Sequence, residues 1–192
     1  RGVNLSSNSC VGHTRWATHG VVNDQNSHPH LNDTISIVHN GIIENATEVK
    51  KDLISEGLQF KSDTDSEVFL GLVHYSVRQG MSLFDAVSRS FEKIQGNSAF
   101  VIQEKSSNQI LAIKRGAPLV CGLNFKTNEV MVSSDPYALV GMVDQIFFPE
   151  DEVVCCLTGE KDKPITFYEK NGELSERYVS KKQECGLEAQ EK

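Results

Sequence analysis

Ala99-Phe100-Val101-Ile102-Gln103, a polar break at Lys105-Ser106-Ser107-Asn108, then Gln109-Ile110-Leu111-Ala112-Ile113-Lys114: this stretch reads as a hairpin of two strands. A second pair follows at Pro118–Leu123 and Glu129–Ser133; the strand-like runs Val153–Leu157 and Ile165–Glu169 come after it, with Asn171-Gly172 as a tight-turn signal. Hairpins outnumber strand–helix–strand units, so the pattern predicts layered, mainly antiparallel sheets rather than a doubly wound parallel one.

Working outward toward the N-terminus, Ile35–His39 and Val11–Trp16 read as strands around a loop rich in His, Asn and Pro. Three helices lie between. The first has a capping box at Asn45 and Glu48, a stripe of Val49, Leu53 and Ile54, and Gly57 at its end. Thr64 and Glu67 open the second, which carries Val68, Leu72 and Val73 to Gly80; Ser82 opens the third, with Leu83, Phe84, Val87, Phe91 and Ile94 on one face. Asp135 caps a short helix through Tyr137 and Leu139. Residues 1–179 form one domain, and the polar stretch 180–192, without an apolar face, begins a linker or tail.

The 192 residues are 39% hydrophobic and 23% charged, enough for one packed core. A net charge of -7 disfavours nucleic acid and anionic membranes as partners. Runs such as Val153–Leu157 are far too short to span a bilayer, and no leader is visible, so a cytoplasmic protein is expected. Five cysteines without C-x-x-C spacing suit reduced thiols: Cys10, Cys121, Cys155 and Cys156 in apolar strands, Cys185 in the tail. Adjacent Cys155 and Cys156 should face opposite sides of their strand.

Chemistry-bearing residues crowd near the start: His13-Thr14-Arg15-Trp16-Ala17-Thr18-His19-Gly20, Ser27-His28-Pro29-His30, His39-Asn40-Gly41-Ile42-Ile43-Glu44-Asn45, then Asp65. Singly, each has an ordinary reading. Asp65 would favour a helix start, Asn40-Gly41 would make a turn, Arg15 would pair on the surface, and Trp16 would fill a core. The histidines lack H-x-x-x-H or H-E-x-x-H spacing, so no metal is expected, although a metal-dependent hydrolase is the alternative they raise.

Together, in order and spacing, these strings resemble the glutamine-hydrolysing (class II amidotransferase) domain of bacterial-type glucosamine-6-phosphate synthases. Gly116-Ala117-Pro118-Leu119-Val120 and Ser134-Asp135 extend the match, to about Tyr178. The resemblance implies an α+β fold of the N-terminal-nucleophile hydrolases, a four-layer αββα sandwich, here incomplete at its N-terminus. It implies L-glutamine as substrate, L-glutamate as product and no cofactor. Asn40 and Gly41 become the oxyanion donors; Arg15, Thr18, His19 and Asp65 the glutamine-binding residues; Trp16 a gating residue. The family's nucleophile is an N-terminal cysteine, and no residue of this chain matches it; Cys10, carrying no free α-amine, is not expected to substitute. A sugar-isomerase domain is expected C-terminal to the chain, and a homodimer of the parent enzyme is left open. A glutamine- or glutamate-binding module without turnover is the remaining alternative.

Overall fold

A computed structural model describes residues 8–14, 23–107 and 109–179. Its centre is a six-stranded antiparallel sheet in the order β1 (His30–Leu31), β2 (Ile35–Gly41), β3 (Ser98–Glu104), β4 (Ile110–Arg115), β8 (Val154–Leu157), β9 (Ile165–Tyr168). A three-stranded sheet, β6 (Val130–Ser133), β5 (Val120–Leu123) and β7 (Gln145–Phe147), packs against one face.

Because side chains alternate along a strand, each strand of the larger sheet feeds two cores. Ile35, Ile37, Phe100, Ile102, Leu111, Ile113, Val154 and Cys156 pack toward helices α1 (Ala46–Ser55), α2 (Asp65–Arg78) and α3 (Leu83–Lys93). Ala99, Ala112, Cys155, Leu157 and Phe167 pack toward Leu119 and Cys121 at the smaller sheet. Cys155 and Cys156 therefore part to opposite faces, as their adjacency predicts. Beyond the smaller sheet, the described residues supply a 3-10 turn, Pro136–Leu139, whose Leu139 packs on Val120 and Ile146.

The layers read helix, sheet, sheet, with this turn at the position of the fourth. Asp135 caps it, accepting from the Tyr137 N–H at 2.9 Å.

Helix α2 is apolar on most sides because it lies between the sheet and its neighbours; Phe69, Leu70 and Gly71 are buried beside Val68, Leu72 and Val73. The helix starts differ from two expectations. Asn45 makes no local cap: its Oδ1 accepts from the Gln95 N–H and its Nδ2 donates to the Lys93 carbonyl, both at 2.9 Å. Thr64 instead turns its hydroxyl to His30 Nε2 (3.0 Å), while Glu67 accepts from the backbone of Lys61 and Ser62. Both side chains found partners distant in sequence that satisfy them as well as a cap would, and tie the helix to its surroundings as well. Of the three α-helix caps, Ser82 is as expected, accepting from the Asp85 N–H. Ile54, assigned to the α1 stripe, is 53% exposed, since the buried face of α1 is Val49 and Leu53.

Two further corrections concern the N-terminal stretch. Residues 11–14 join no ladder; the stretch lies across the inner face of the β2–β3 pair, with Ser9 accepting from Gln103 Nε2 at one end and His13 meeting Asn40 at the other. Cys10, expected in the core, is exposed. Positions 15, 16 and 185 lie outside the described residues. Strands β1 and β7 were too short to announce themselves. At the other end, helix α4 (Glu176–Val179) brings Tyr178 onto Phe167, ring centroids 4.3 Å apart, with its hydroxyl accepting from the Glu150 N–H.

Phe100, fully buried on β3, is the pivot of the helical core: it stacks between His39 (4.2 Å) and Phe69 (3.9 Å) and meets Phe91 edge-on. Phe100→Ala should cost about 3–5 kcal/mol of unfolding free energy, read from the urea midpoint at unchanged slope. A loss below ~1 kcal/mol would show that the stack is not a structural centre.

Candidate active site

The C-terminal end of β2 places three consecutive residues in three environments. His39 points to the helices, Asn40 to the space between the sheets, and Gly41 turns the chain. Gly41 has φ +125, and a Cβ there would stand 2.1 Å from the Asn97 carbonyl oxygen. Asn97 also fills the space where a Cβ of Gly116 (φ +66) would lie, 2.2 Å from its Oδ1. Asn97 thus wedges between two loops that can approach it only as glycine. The chain leaving β2 is then pinned: Ile42 N–H to the Asn97 carbonyl at 2.9 Å, Ile43 N–H to Asp65 Oδ2 at 2.8 Å, Glu44 N–H to the Gln95 carbonyl at 2.9 Å.

Asn40 opens onto a cavity of about 380 Å³ between the sheets. Its floor is Val38, Asn40, Ala99 and Val101; its walls are Gly12–Thr14 on one side and Leu119, Val132 and Ser133 on the other. The volume suits an amino-acid-sized ligand. Asn40 Oδ1 lies 2.7 Å from His13 Nε2, and among the described residues the amide has no other partner.

Asp65 is the first residue of α2, where a carboxylate is favoured by the helix dipole. Its Oδ1 is 4.0 Å from His39 Nδ1. That distance would suit an ion pair, but His39 is buried and stacked on Phe100, and loss of water around the ring lowers its pKa to about 4. The Asp65 charge opposes this and nearby His13 and His30 reinforce it. His39 is therefore neutral at pH 7, and the Asp65 charge is not balanced by it. The imidazole serves as a polar tie: Nδ1 is 2.9 Å from Ser66 Oγ and Nε2 is 3.2 Å from Ser98 Oγ.

His28 and His30 are likewise engaged with hydroxyls. His28 Nε2 lies 3.1 Å from Ser66 Oγ and His30 Nε2 lies 3.0 Å from Thr64 Oγ1. Among the described residues, no group of three or more His, Cys, Asp or Glu side chains is arranged to hold a metal.

Of the residues singled out from sequence, Asn40 lines the cavity, Gly41 follows it at the end of β2, and Asp65 sits at the same strand end on the helical side. Arg15, Trp16, Thr18 and His19 lie outside the described residues. Sequence reasoning assigned no role to His13 or Asn97. The signal for His13 was its place in the His13–Gly20 string; nothing local announced Asn97.

The chain is similar in fold to two solved structures. One is glutamine phosphoribosylpyrophosphate amidotransferase from B. subtilis, complexed with ADP and GMP (TM-score 0.64, 22% identity, 84% of this chain and 35% of that one). The other is described as the allosteric regulatory enzyme of purine biosynthesis (TM-score 0.67, 24% identity, 82% and 34%). The fold is that of the N-terminal-nucleophile hydrolases, α+β with antiparallel sheets.

The particular family follows from residues 13–141, which match the glutamine amidotransferase domain model: the chain belongs to that family. Its similar curated relatives carry the name glutamine–fructose-6-phosphate aminotransferase (isomerizing). The Bartonella henselae protein is 42% identical over 166 residues, the Legionella pneumophila (strain Paris) protein 39% over 177, and the Clostridium acetobutylicum protein 38% over 179. They cover 86%, 91% and 92% of this chain, which spans 26%, 28% and 28% of their lengths.

Burial disfavours protonation of His39 in the folded chain. Its folded pKa lies below the unfolded 6.5, so the unfolded state binds more protons between those values and stability falls with falling pH. The contribution is complete above pH 6.5 and is lost toward pH 4, amounting to about 3 kcal/mol. Chemical denaturation across that window should give a steeper acid loss for the wild type than for His39→Gln. Parallel curves would show that His39 does not titrate this way.

Proposed function

We propose that this chain is the glutamine-binding body of a glutaminase, which releases ammonia for glucosamine 6-phosphate synthesis from fructose 6-phosphate in a larger parent enzyme. The observation that carries the reading is Asn40: an amide at a strand end, aimed into a cavity of amino-acid size, in a chain of the glutamine amidotransferase family.

The chemistry follows from these groups. A thiolate adds to the glutamine side-chain carbonyl, and the resulting oxyanion needs donors already in place. Asn40 Nδ2 and the Gly41 N–H supply them. Collapse breaks the C–N bond as the nitrogen takes up the proton released when the thiol ionised, ammonia leaves, and water then cleaves the thioester to glutamate and restores the thiol. Asp65 pairs with the substrate ammonium, supported by a charge that neutral His39 does not balance. Arg15 holds the substrate carboxylate by a two-pronged contact, assisted by Thr18 and His19, and Trp16 gates the site.

The attacking thiolate is proposed to belong to a cysteine of the parent enzyme outside these 192 residues. None of the described cysteines lines the cavity; Cys121, Cys155 and Cys156 are buried, and burial beside Cys121 pushes the Cys155 thiol well above its usual range. Residues 1–179 are taken as the amidotransferase domain and 180–192 as the start of a linker to a sugar-isomerase domain. The parent is assigned to the cytoplasm, and dimerisation would be a property of the parent. No described helix is long and apolar enough to cross a membrane. The hydroxyl partners of His28 and His30 favour this reading over a metal-dependent hydrolase.

In the intact enzyme, Asn40→Ala should lower glutamine turnover by ~10²-fold or more and leave glutamate affinity nearly unchanged, because the donor serves charge present only in the transition state. Near-normal turnover in a folded variant would remove the oxyanion role. Asp65→Asn keeps an oxygen for the Ile43 N–H but removes the charge. Its glutamine KM should rise by about tenfold or more, corresponding to ~1.5–3 kcal/mol, whereas an unchanged KM would exclude Asp65 from the ammonium site.

A further inference from the structure

An asparagine amide has two ends of nearly equal shape and opposite hydrogen-bonding character. An oxyanion donor works only if the NH2 end faces the reacting carbonyl. With the oxygen end inward, the site would repel the developing negative charge. The backbone does not decide between the two, because rotation about the Cβ–Cγ bond exchanges them.

Here one contact decides. Asn40 Oδ1 lies 2.7 Å from His13 Nε2; an amide oxygen only accepts, so this pairing requires the proton on Nε2. If Nε2 were bare, the same pair would be satisfied by the flipped amide, with Nδ2 donating to His13 and the oxygen turned into the cavity. The imidazole is itself held: it lies against His28, ring centroids 4.3 Å apart and planes tilted by 35°, and His28 meets Ser66 Oγ. His13 Nδ1 is buried without a hydrogen-bond partner among the described residues, so it supplies a lone pair to nothing described.

We propose that His13 is a positioning residue for the amide-hydrolysis step: its Nε2–H tautomer holds Asn40 with the NH2 end toward the substrate carbonyl. The proposal rests on the reading of Asn40 as oxyanion donor. His13 stands in the cavity wall, but the role assigned to it acts through Asn40 and so falls on turnover more than on affinity. Gln at position 13 retains an N–H that can reach Asn40 Oδ1; Ala does not.

The test is a double-mutant cycle in the intact enzyme that carries this chain, following ammonia release from glutamine. His13→Ala should lower kcat by about tenfold or more, the scale at which misplacement of a catalytic group is felt, with KM within twofold of wild type. His13→Gln should recover most of the loss. His13→Ala combined with Asn40→Ala should be no slower than Asn40→Ala alone, because the two act as one unit. A merely structural histidine would give losses that multiply.

Normal kcat in His13→Ala, beside an impaired Asn40→Ala, overturns this proposal and leaves the oxyanion reading standing. Multiplying losses do the same. Normal turnover in Asn40→Ala removes the oxyanion reading and this proposal with it. Should His13→Ala fail to fold, the wild type decides: nitrogen-15 NMR of its imidazoles should show His13 protonated at Nε2, and an Nδ1–H tautomer overturns the proposal.

Discussion

A β-strand cannot place consecutive side chains on one face, and the end of β2 depends on that rule. His39 goes to the helical core, Asn40 to the intersheet cavity, and the register to β3 (His39 opposite Phe100, Asn40 opposite Ala99) holds both in place. A one-residue slip would bury the amide among the helices and put the imidazole in the cavity. The bulk of Phe100 on one side of β3 and the small Ala99 on the other reinforce the register. The ring completes the stack with His39 and Phe69, and the methyl leaves room before Asn40.

The same end of β2 shows how polar groups are accommodated in a core without being charged. His39 has lost nearly all its water and is kept as a neutral ring between two serine hydroxyls. Ionising it would require burying a second charge beside a poorly solvated carboxylate, and the desolvation cost exceeds the attraction of Asp65. The histidine cluster, which in sequence suggested a ligand set, is a network of imidazoles and hydroxyls that joins β1, β2, β3 and the start of α2.

Backbone geometry has equal weight. Asn97 presses on Gly41 and Gly116 at once, so two loops meet the end of β2 at distances that only glycine permits. From β4, Arg115 reaches back over Phe91 and donates to the carbonyls of Phe91 and Ile94, closing the C-terminal end of α3 beside the same loop. The end of β2 is thereby tied to β4 and to the helical layer.

By itself, the sequence determined the elements whose signals are local and periodic: the hairpins, the three helices, the Ser82 cap and the opposed thiols of Cys155 and Cys156. Alternation and helical period depend on neighbours within a few residues, so one chain suffices to read them. It also pointed, through the combined strings at His13, His39 and Asp65, to the family of the site. Only the tertiary structure decided what those side chains touch. Asn45 and Thr64 left their local caps for partners 50 and 34 residues away, Cys10 went to the surface, and His13 met Asn40 across 27 residues. A polar side chain takes whichever partner leaves it best satisfied once water is excluded, and the candidates are brought within reach only when the sheets close.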